Sequence, residues 1–170
     1  MTRVGVLTVS DRAASGQYED RSGPAIQEMI AEHMAAQVVE YSVVPDEFGA
    51  VRNMLITWSD ERKLDLVFTT GGTGFAPRDL TPEATKSVIE REAPGLIVAM
   101  LRDSLLITPH AMLSRAVAGI RGHTLIVNLP GSPKAARENL DSILPALPHA
   151  MELLQDLPGA EAGHRATVAK

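Results

Sequence analysis

The 170-residue chain has no cysteine, which excludes disulfides, thiolate metal sites and a thiol nucleophile. Aromatic residues make up only 4%, so any core has to be built from Val, Ile, Leu, Met and Ala. Basic runs never exceed two residues and the formal net charge is −5. A nucleic-acid reader normally carries a basic patch, so that class is disfavoured. No stretch approaches the ~20 apolar residues of a membrane span. The apolar start at residues 4–9 stops at Ser10-Asp11-Arg12, too short for a secretion signal. These absences together read as a cytoplasmic protein that handles something small, with neither nucleic acid nor membrane as partner.

What remains is ordinary for a globular chain, with 45% hydrophobic and 22% charged residues. Residues 4–9, 37–44, 64–70 and 123–129 are short runs rich in β-branched side chains that end at turn formers, as buried strands do. Between the first two, Pro24 opens a stretch with Ile26, Met29, Ile30 and Met34 on one helical face. Between the next two, Val51, Leu55 and Trp58 keep helical spacing. Thr81-Pro82-Glu83 predicts a further helix start, with Thr81 as N-cap and Pro82 at the first helical position.

This order predicts a mainly parallel sheet with helices on both faces, a three-layer α/β/α sandwich. Residues 116–129 read as two strands joined around Arg121-Gly122, an antiparallel pair at one side. Residues 133–157 keep a helical apolar repeat that Pro145 and Pro148 must kink or split. Residues 1–156 read as one domain, and 157–170, without periodicity, as a flexible tail.

In an open α/β sheet, ligands bind beyond the carboxyl ends of the strands. Those ends read Ser10-Asp11-Arg12, Pro45-Asp46-Glu47, Gly71-Gly72-Thr73-Gly74 and Pro130-Gly131-Ser132-Pro133. The glycine loop has two readings, a tight turn needing positive φ or a nest of backbone N–H groups around an anion. The patterns GxxxxGK[ST] and GxGxxG are both absent. Asp46 and Asp79 stand at helix starts, where capping is one explanation. Two carboxylates beside a phosphate loop are also what a Mg²⁺-nucleotide site requires. The five histidines lack metal-ligand spacing, and no Ser-His-Asp set can be argued.

The stretch "TTGGTGFAPRDLTPEAT", with "VLTVSDRAASGQYEDRSGP", "VVPDE", "REAPGL", "ITPHAMLSRAVAGIRG" and "LIVNLPGSPKAARENL", resembles the molybdopterin adenylyltransferases, the MogA family that includes the gephyrin G domain. The resemblance spans residues 3–154 and implies a three-layer α/β domain assembled as a homotrimer. It implies AMP transfer from ATP to the terminal phosphate of molybdopterin, with Mg²⁺ as cofactor. The product would pass to a molybdenum-insertion protein. On the family pattern Asp46 and Asp79 are the catalytic and metal-holding aspartates, and Gly71, Gly72, Thr73 and Gly74 form the nucleotide loop. Pro130, Gly131 and Ser132 form a second nucleotide-side loop, and Ser10, Ser114 and Arg115 match the molybdopterin side. His123 stands where relatives carry a small polar residue. The subunit contact of the trimer is expected on the apolar stretch 95–113. The competing readings keep the fold: a MoaB-like relative, or a non-catalytic trimeric scaffold that binds a partner protein.

Overall fold

The computed structural model describes residues 1–156; the segment expected to be a flexible tail, 157–170, lies outside the described residues. The chain begins with β1 (Thr2–Val9), the one-turn α1 (Asp11–Ala14), α2 (Ser22–His33), β2 (Ala36–Val44) and α3 (Phe48–Ile56). It continues with β3 (Leu66–Thr70), α4 (Thr81–Lys86), β4 (Arg91–Glu92), α5 (Pro94–Leu105) and β5 (Ala118–Arg121). It closes with β6 (Thr124–Leu129), α6 (Pro133–Ile143) and α7 (Leu147–Leu154).

Six strands form one sheet in the order β2-β1-β3-β6-β5-β4. The four expected strands are β1, β2, β3 and β6, all mutually parallel. Strands β5 and β6 form the expected antiparallel pair around Arg121-Gly122. The two-residue β4 extends that antiparallel edge; it is too short to leave a period-2 signature in sequence.

Strand alternation divides the core in two. Val4, Val6, Leu66, Phe68, Leu125 and Val127 face α2, α5, α6 and α7. Leu7, Val9, Val67 and Ile126 face α3 and α4 across the other side of the sheet. The predicted faces Ile26-Met29-Ile30 and Val51-Leu55-Trp58 are buried on these two layers; Met34, expected on the first face, lies just past the end of α2 and is half-buried. Trp58 follows α3 in a π-helical turn, Thr57–Glu61. The last helix is split as its prolines require: a 3-10 turn at Leu144–Ala146 separates α6 from α7, and Pro148 sits in the first turn of α7.

One detail differs from expectation. Thr81 does not cap α4; the helix begins at Thr81, and Leu80 precedes it without a side-chain cap. The Thr81 hydroxyl is buried and donates instead to the Gly71 carbonyl at 2.9 Å. Tertiary contact with the glycine loop has displaced the local cap.

Candidate active site

Because β1, β2, β3 and β6 run parallel, all four loops after them emerge at one edge of the sheet. The first crossover leaves β1 toward β2, and the next returns to β3 on its other side. The edge between β1 and β3 is therefore a switch point, where adjacent loops diverge and leave a crevice.

The glycine loop fills that point. Gly71 and Gly72 have φ of 95° and 65°, a region that L side chains rarely adopt. Space is also lacking: a Cβ on Gly71 would lie 2.3 Å from Val9 O, and one on Gly72 2.4 Å from Thr81 Oγ1. The turn reading of these glycines is thus correct at both positions.

Polarity is the loop's more informative property. All four carbonyls are tied to the protein. Gly71 O accepts from Thr81 Oγ1 at 2.9 Å, and Gly72 O from Thr81 N at 3.1 Å. Thr73 O accepts from Arg115 N at 2.9 Å, and Gly74 O from Arg115 Nε at 2.7 Å. The amide of Gly71 reaches Leu129 O at 3.3 Å, whereas those of Gly72, Thr73 and Gly74 have no partner among the described residues. A loop that turns its carbonyls inward and leaves consecutive donors outward has the electrostatics of an anion cradle.

The second loop leans on the first. Thr70 Oγ1 donates to Pro130 O at 2.7 Å, and a Cβ on Gly131 would come within 3.2 Å of Gly71 Cα. Together the two loops make a ridge with a pocket on each side. The apolar pocket, about 310 Å³, includes Thr73, Gly74, Met100, Leu113, Ser114 and Pro130. The polar pocket, about 350 Å³, includes Ser10, Arg12, Asp20, Gly71, Gly131 and Ser132. Ser10 and Ser114, which the family pattern gives to one substrate, line different pockets. The Ser10 hydroxyl accepts from Ala13 N at 3.2 Å and the Ser132 hydroxyl from Ala135 N at 3.4 Å, so both also cap helices. His123 is remote in role, with Nδ1 2.7 Å from Leu154 O.

The two aspartates flank the loop. A Cβ on Gly72 would lie 3.2 Å from Asp46 Oδ1, and one on Gly74 2.9 Å from Asp79 Oδ2. Asp79 Oδ2 accepts from Ala76 N at 3.0 Å. Asp46 Oδ2 accepts from Asp11 N at 2.8 Å, and Asp11 Oδ1 accepts from Asp46 N at 3.0 Å. Arg78 forks onto Asp11, with Nε to Oδ2 at 2.6 Å and Nη2 to Oδ1 at 3.0 Å. That fork holds the Asp11 carboxyl below its ordinary value. Asp46 moves the other way. Burial raises it most, and the charges of Asp11 and Asp79 add to that against the hydrogen bond from Asp11 N. A partly buried carboxylate beside two others is a place where a cation is electrostatically welcome.

Sequence reasoning passes over three supports. Asp20 accepts from Thr8 Oγ1 and Tyr41 OH, both at 2.6 Å, and from Ser22 N at 3.0 Å. Burial works against its charge, but the donors around it outweigh that and hold its carboxyl low. Asn128, fully buried, donates to Thr69 and Thr85 at 2.9 Å each and accepts from Val117 N at 3.0 Å, joining the sheet to α4. Glu83 pairs with Arg115. The Ser-Gly-Pro helix start after Asp20 is a local signal; the partners of Asn128 and Arg115 are remote in sequence and leave none.

The family model described as "Probable molybdopterin binding domain" matches residues 5–149. The chain is 49% identical over 152 residues to the molybdopterin adenylyltransferase of Helicobacter pylori strain J99, covering 89% of this chain and 86% of that protein. It is 51% identical over 164 residues to gephyrin of Dictyostelium discoideum, covering 91% of this chain and only 23% of gephyrin. Among solved structures, the molybdopterin biosynthesis enzyme MoaB from Thermus thermophilus superposes with a TM-score of 0.88 at 51% identity, covering 93% of this chain and 99% of that one.

Proposed function

Because the chain belongs to the molybdopterin adenylyltransferase family, we propose that it acts in molybdenum-cofactor biosynthesis by transferring AMP from ATP to the terminal phosphate of molybdopterin. An oxygen of that phosphate attacks the α-phosphorus of ATP. The bond from the α-phosphorus to the bridging oxygen breaks, and pyrophosphate leaves with the electron pair. The attacking phosphate is already ionised at neutral pH, so neither a protein nucleophile nor a general base is required. Alignment and charge neutralisation carry the catalysis.

The observation that carries this reading is the polarity of the glycine loop, with four carbonyls bound inward and the amides of Gly72, Thr73 and Gly74 left as donors. Two pockets that meet along one ridge give each substrate a seat and bring the reacting phosphates over those donors. The apolar pocket beside Met100 and Leu113 suits the flat adenine. The polar pocket with Ser10, Asp20 and Ser132 suits the hydrogen-bonding edges of a pterin. This assignment puts Ser114 with the nucleotide and Ser132 with the pterin, a departure from the family pattern.

Asp46 and Asp79 fit Mg²⁺. No group of three or more His, Cys, Asp or Glu among the described residues is arranged to hold a metal. Mg²⁺ uses one or two carboxylates together with substrate phosphates, and repulsion from Asp79 is part of what raises Asp46. When bound with ATP, the ion supplies neutralisation of the triphosphate charge.

The homotrimer is part of the proposal. On α5 only Met100 is buried and Val98 is 65% exposed; just past the helix Leu106 is 85% exposed, with Ile107 and Met112 also open. Apolar surface of this kind calls for a second copy to cover it. The reaction is placed in the cytoplasm, which supplies ATP; no helix among the described residues is long and apolar enough to cross a membrane. Hand-over of the adenylylated product to a molybdenum-insertion protein completes the reading. The MoaB-like alternative keeps the same fold, and the intact "SDRAASGQYEDRSGP" and "RDLTPEAT" favour the adenylyltransferase over it. The test is formation of adenylyl-molybdopterin by the purified chain from ATP, Mg²⁺ and molybdopterin, followed by mass spectrometry.

A further inference from the structure

Arg115 makes an unusual set of contacts for a residue expected to face a pterin. Its Nε donates to Gly74 O at 2.7 Å, an Nη2 donor reaches Asp79 O at 2.6 Å, and the remaining arm pairs with the Glu83 carboxylate. Its backbone N adds Thr73 O at 2.9 Å. One residue therefore grips the end of the glycine loop, the backbone of Asp79 and the first turn of α4.

Apart from the Arg78 fork onto Asp11, the segment it spans has little else to hold it. From Gly74 to Asp79, internal order comes from Asp79 N to Ala76 O at 2.9 Å and Ala76 N to Asp79 Oδ2 at 3.0 Å. Phe75 is 67% exposed and offers no hydrophobic anchor. A rigid planar fork can bind two carbonyls and a carboxylate at once, which the point charge of a lysine cannot do.

We propose that Arg115 is a positioning residue: its guanidinium draws the carbonyls of Gly74 and Asp79 inward, which keeps the loop amides facing the substrate phosphates and fixes Asp79 beside them. This deepens the adenylyl-transfer reading and rests on it for its kinetic consequence. It gives Arg115 a role apart from direct molybdopterin binding, since three of its five N–H donors are committed to the protein. Glu83 holds the third arm and keeps the fork aligned.

The experiment compares the full-length wild type, Arg115→Lys and Glu83→Gln by steady-state kinetics, molybdopterin calorimetry and amide hydrogen exchange. Arg115→Lys is expected to lower kcat by at least about tenfold with molybdopterin Kd within about twofold. Amide exchange across residues 74–80 should quicken by about tenfold while the strands keep their protection. Glu83→Gln should give the same pattern at smaller amplitude, and it keeps the test open should the lysine variant fold poorly. Loss of molybdopterin affinity with unchanged exchange at 74–80 would overturn the proposal in favour of direct binding. If the wild type makes no adenylylated product, the adenylyl-transfer reading falls by itself. The exchange comparison still decides the positioning role of Arg115: faster exchange in the variants supports it, and unchanged exchange overturns it.

Discussion

Asp11 and Asp46 cap one another: the backbone N of Asp11 donates to Asp46 Oδ2 at 2.8 Å, and the backbone N of Asp46 to Asp11 Oδ1 at 3.0 Å. The two strand ends that carry them, β1 and β2, are parallel neighbours, so the reciprocal bonds lock adjacent loops at the site. Arg78, the residue immediately before Asp79, then forks onto Asp11. The aspartate proposed to act is thus oriented by its neighbour Asp11.

Replacing Asp11 should therefore act through Asp46. Asp11→Ala removes both the acceptor for Asp46 N and the anchor of Arg78, and is expected to lower kcat by about 10–100-fold, the cost of a small misplacement of a catalytic group. Asp11→Asn keeps the acceptor for Asp46 N and should fall by only about fivefold. Steady-state rates of the two variants, with circular dichroism to establish folding, check the difference.

Asp46 itself should show a conflict between activity and stability. Its folded carboxyl is raised above the ordinary 3.8, by burial first and then by neighbouring charge. The native state therefore binds that proton more tightly than the unfolded chain does, and stability falls as pH rises through the folded value. Above it the penalty is fully present. Asp46→Asn removes the penalty while keeping an acceptor for Asp11 N, so it should raise Tm at pH 7 by about 1–2 °C. The gain should vanish below the ordinary carboxylate range, and turnover should be lost at every pH. Thermal melts across pH measure the first two statements.

Gly72 predicts a coupling. An added Cβ meets Thr81 Oγ1 at 2.4 Å in a backbone of φ 65°, so Gly72→Ala should cost about 1–3 kcal/mol. Part of that is steric and part conformational. Thr81→Ala removes the hydroxyl in the way, so the double variant should lose less than the two single losses added together. Denaturant titration of the four proteins gives the interaction. Additive losses would mean that backbone strain alone governs the position.

The exposed face of α5 yields a test of assembly. Wild-type light scattering should give about three times the 18.2 kDa chain mass. Val98 is 65% exposed, so Val98→Asp should dissociate the assembly without loss of far-UV circular dichroism. A wild-type mass near 18.2 kDa would end the trimer proposal.

The parts of this molecule visible in sequence are those set by local pattern. Residues 4–9, 64–70 and 123–129 appear as the strands expected, because a buried parallel strand is largely apolar; 37–44 appears too, but as the edge strand β2 with only Val44 buried, legible from its β-branched residues alone. Pro145 breaks its helix for a reason that needs no tertiary information. The glycine loop and both aspartates stand out because strand ends are read directly from the chain. Thr81 misleads because its capping pattern is real, yet a glycine carbonyl ten residues upstream competes for the hydroxyl more effectively. Arg115 and Asn128 act on partners brought close only by the fold, and spacing along the chain carries no trace of them; of Asp20's partners only Ser22 and Gly23 are local.

The most direct measurement is pyrophosphate release from ATP by the purified chain, with molybdopterin and Mg²⁺ each added or withheld, for wild type and Asp79→Asn. Asp79 stands beside Gly74 with its carboxylate 3.0 Å from Ala76 N, a contact that an asparagine oxygen can keep, so the substitution removes charge with little change of shape. Adenylyl transfer at this site predicts release only when both molybdopterin and Mg²⁺ are present, one pyrophosphate per adenylyl-molybdopterin formed, and a rate for Asp79→Asn at least about 100-fold lower. Release that ignores molybdopterin, or an Asp79→Asn rate equal to wild type, would contradict it.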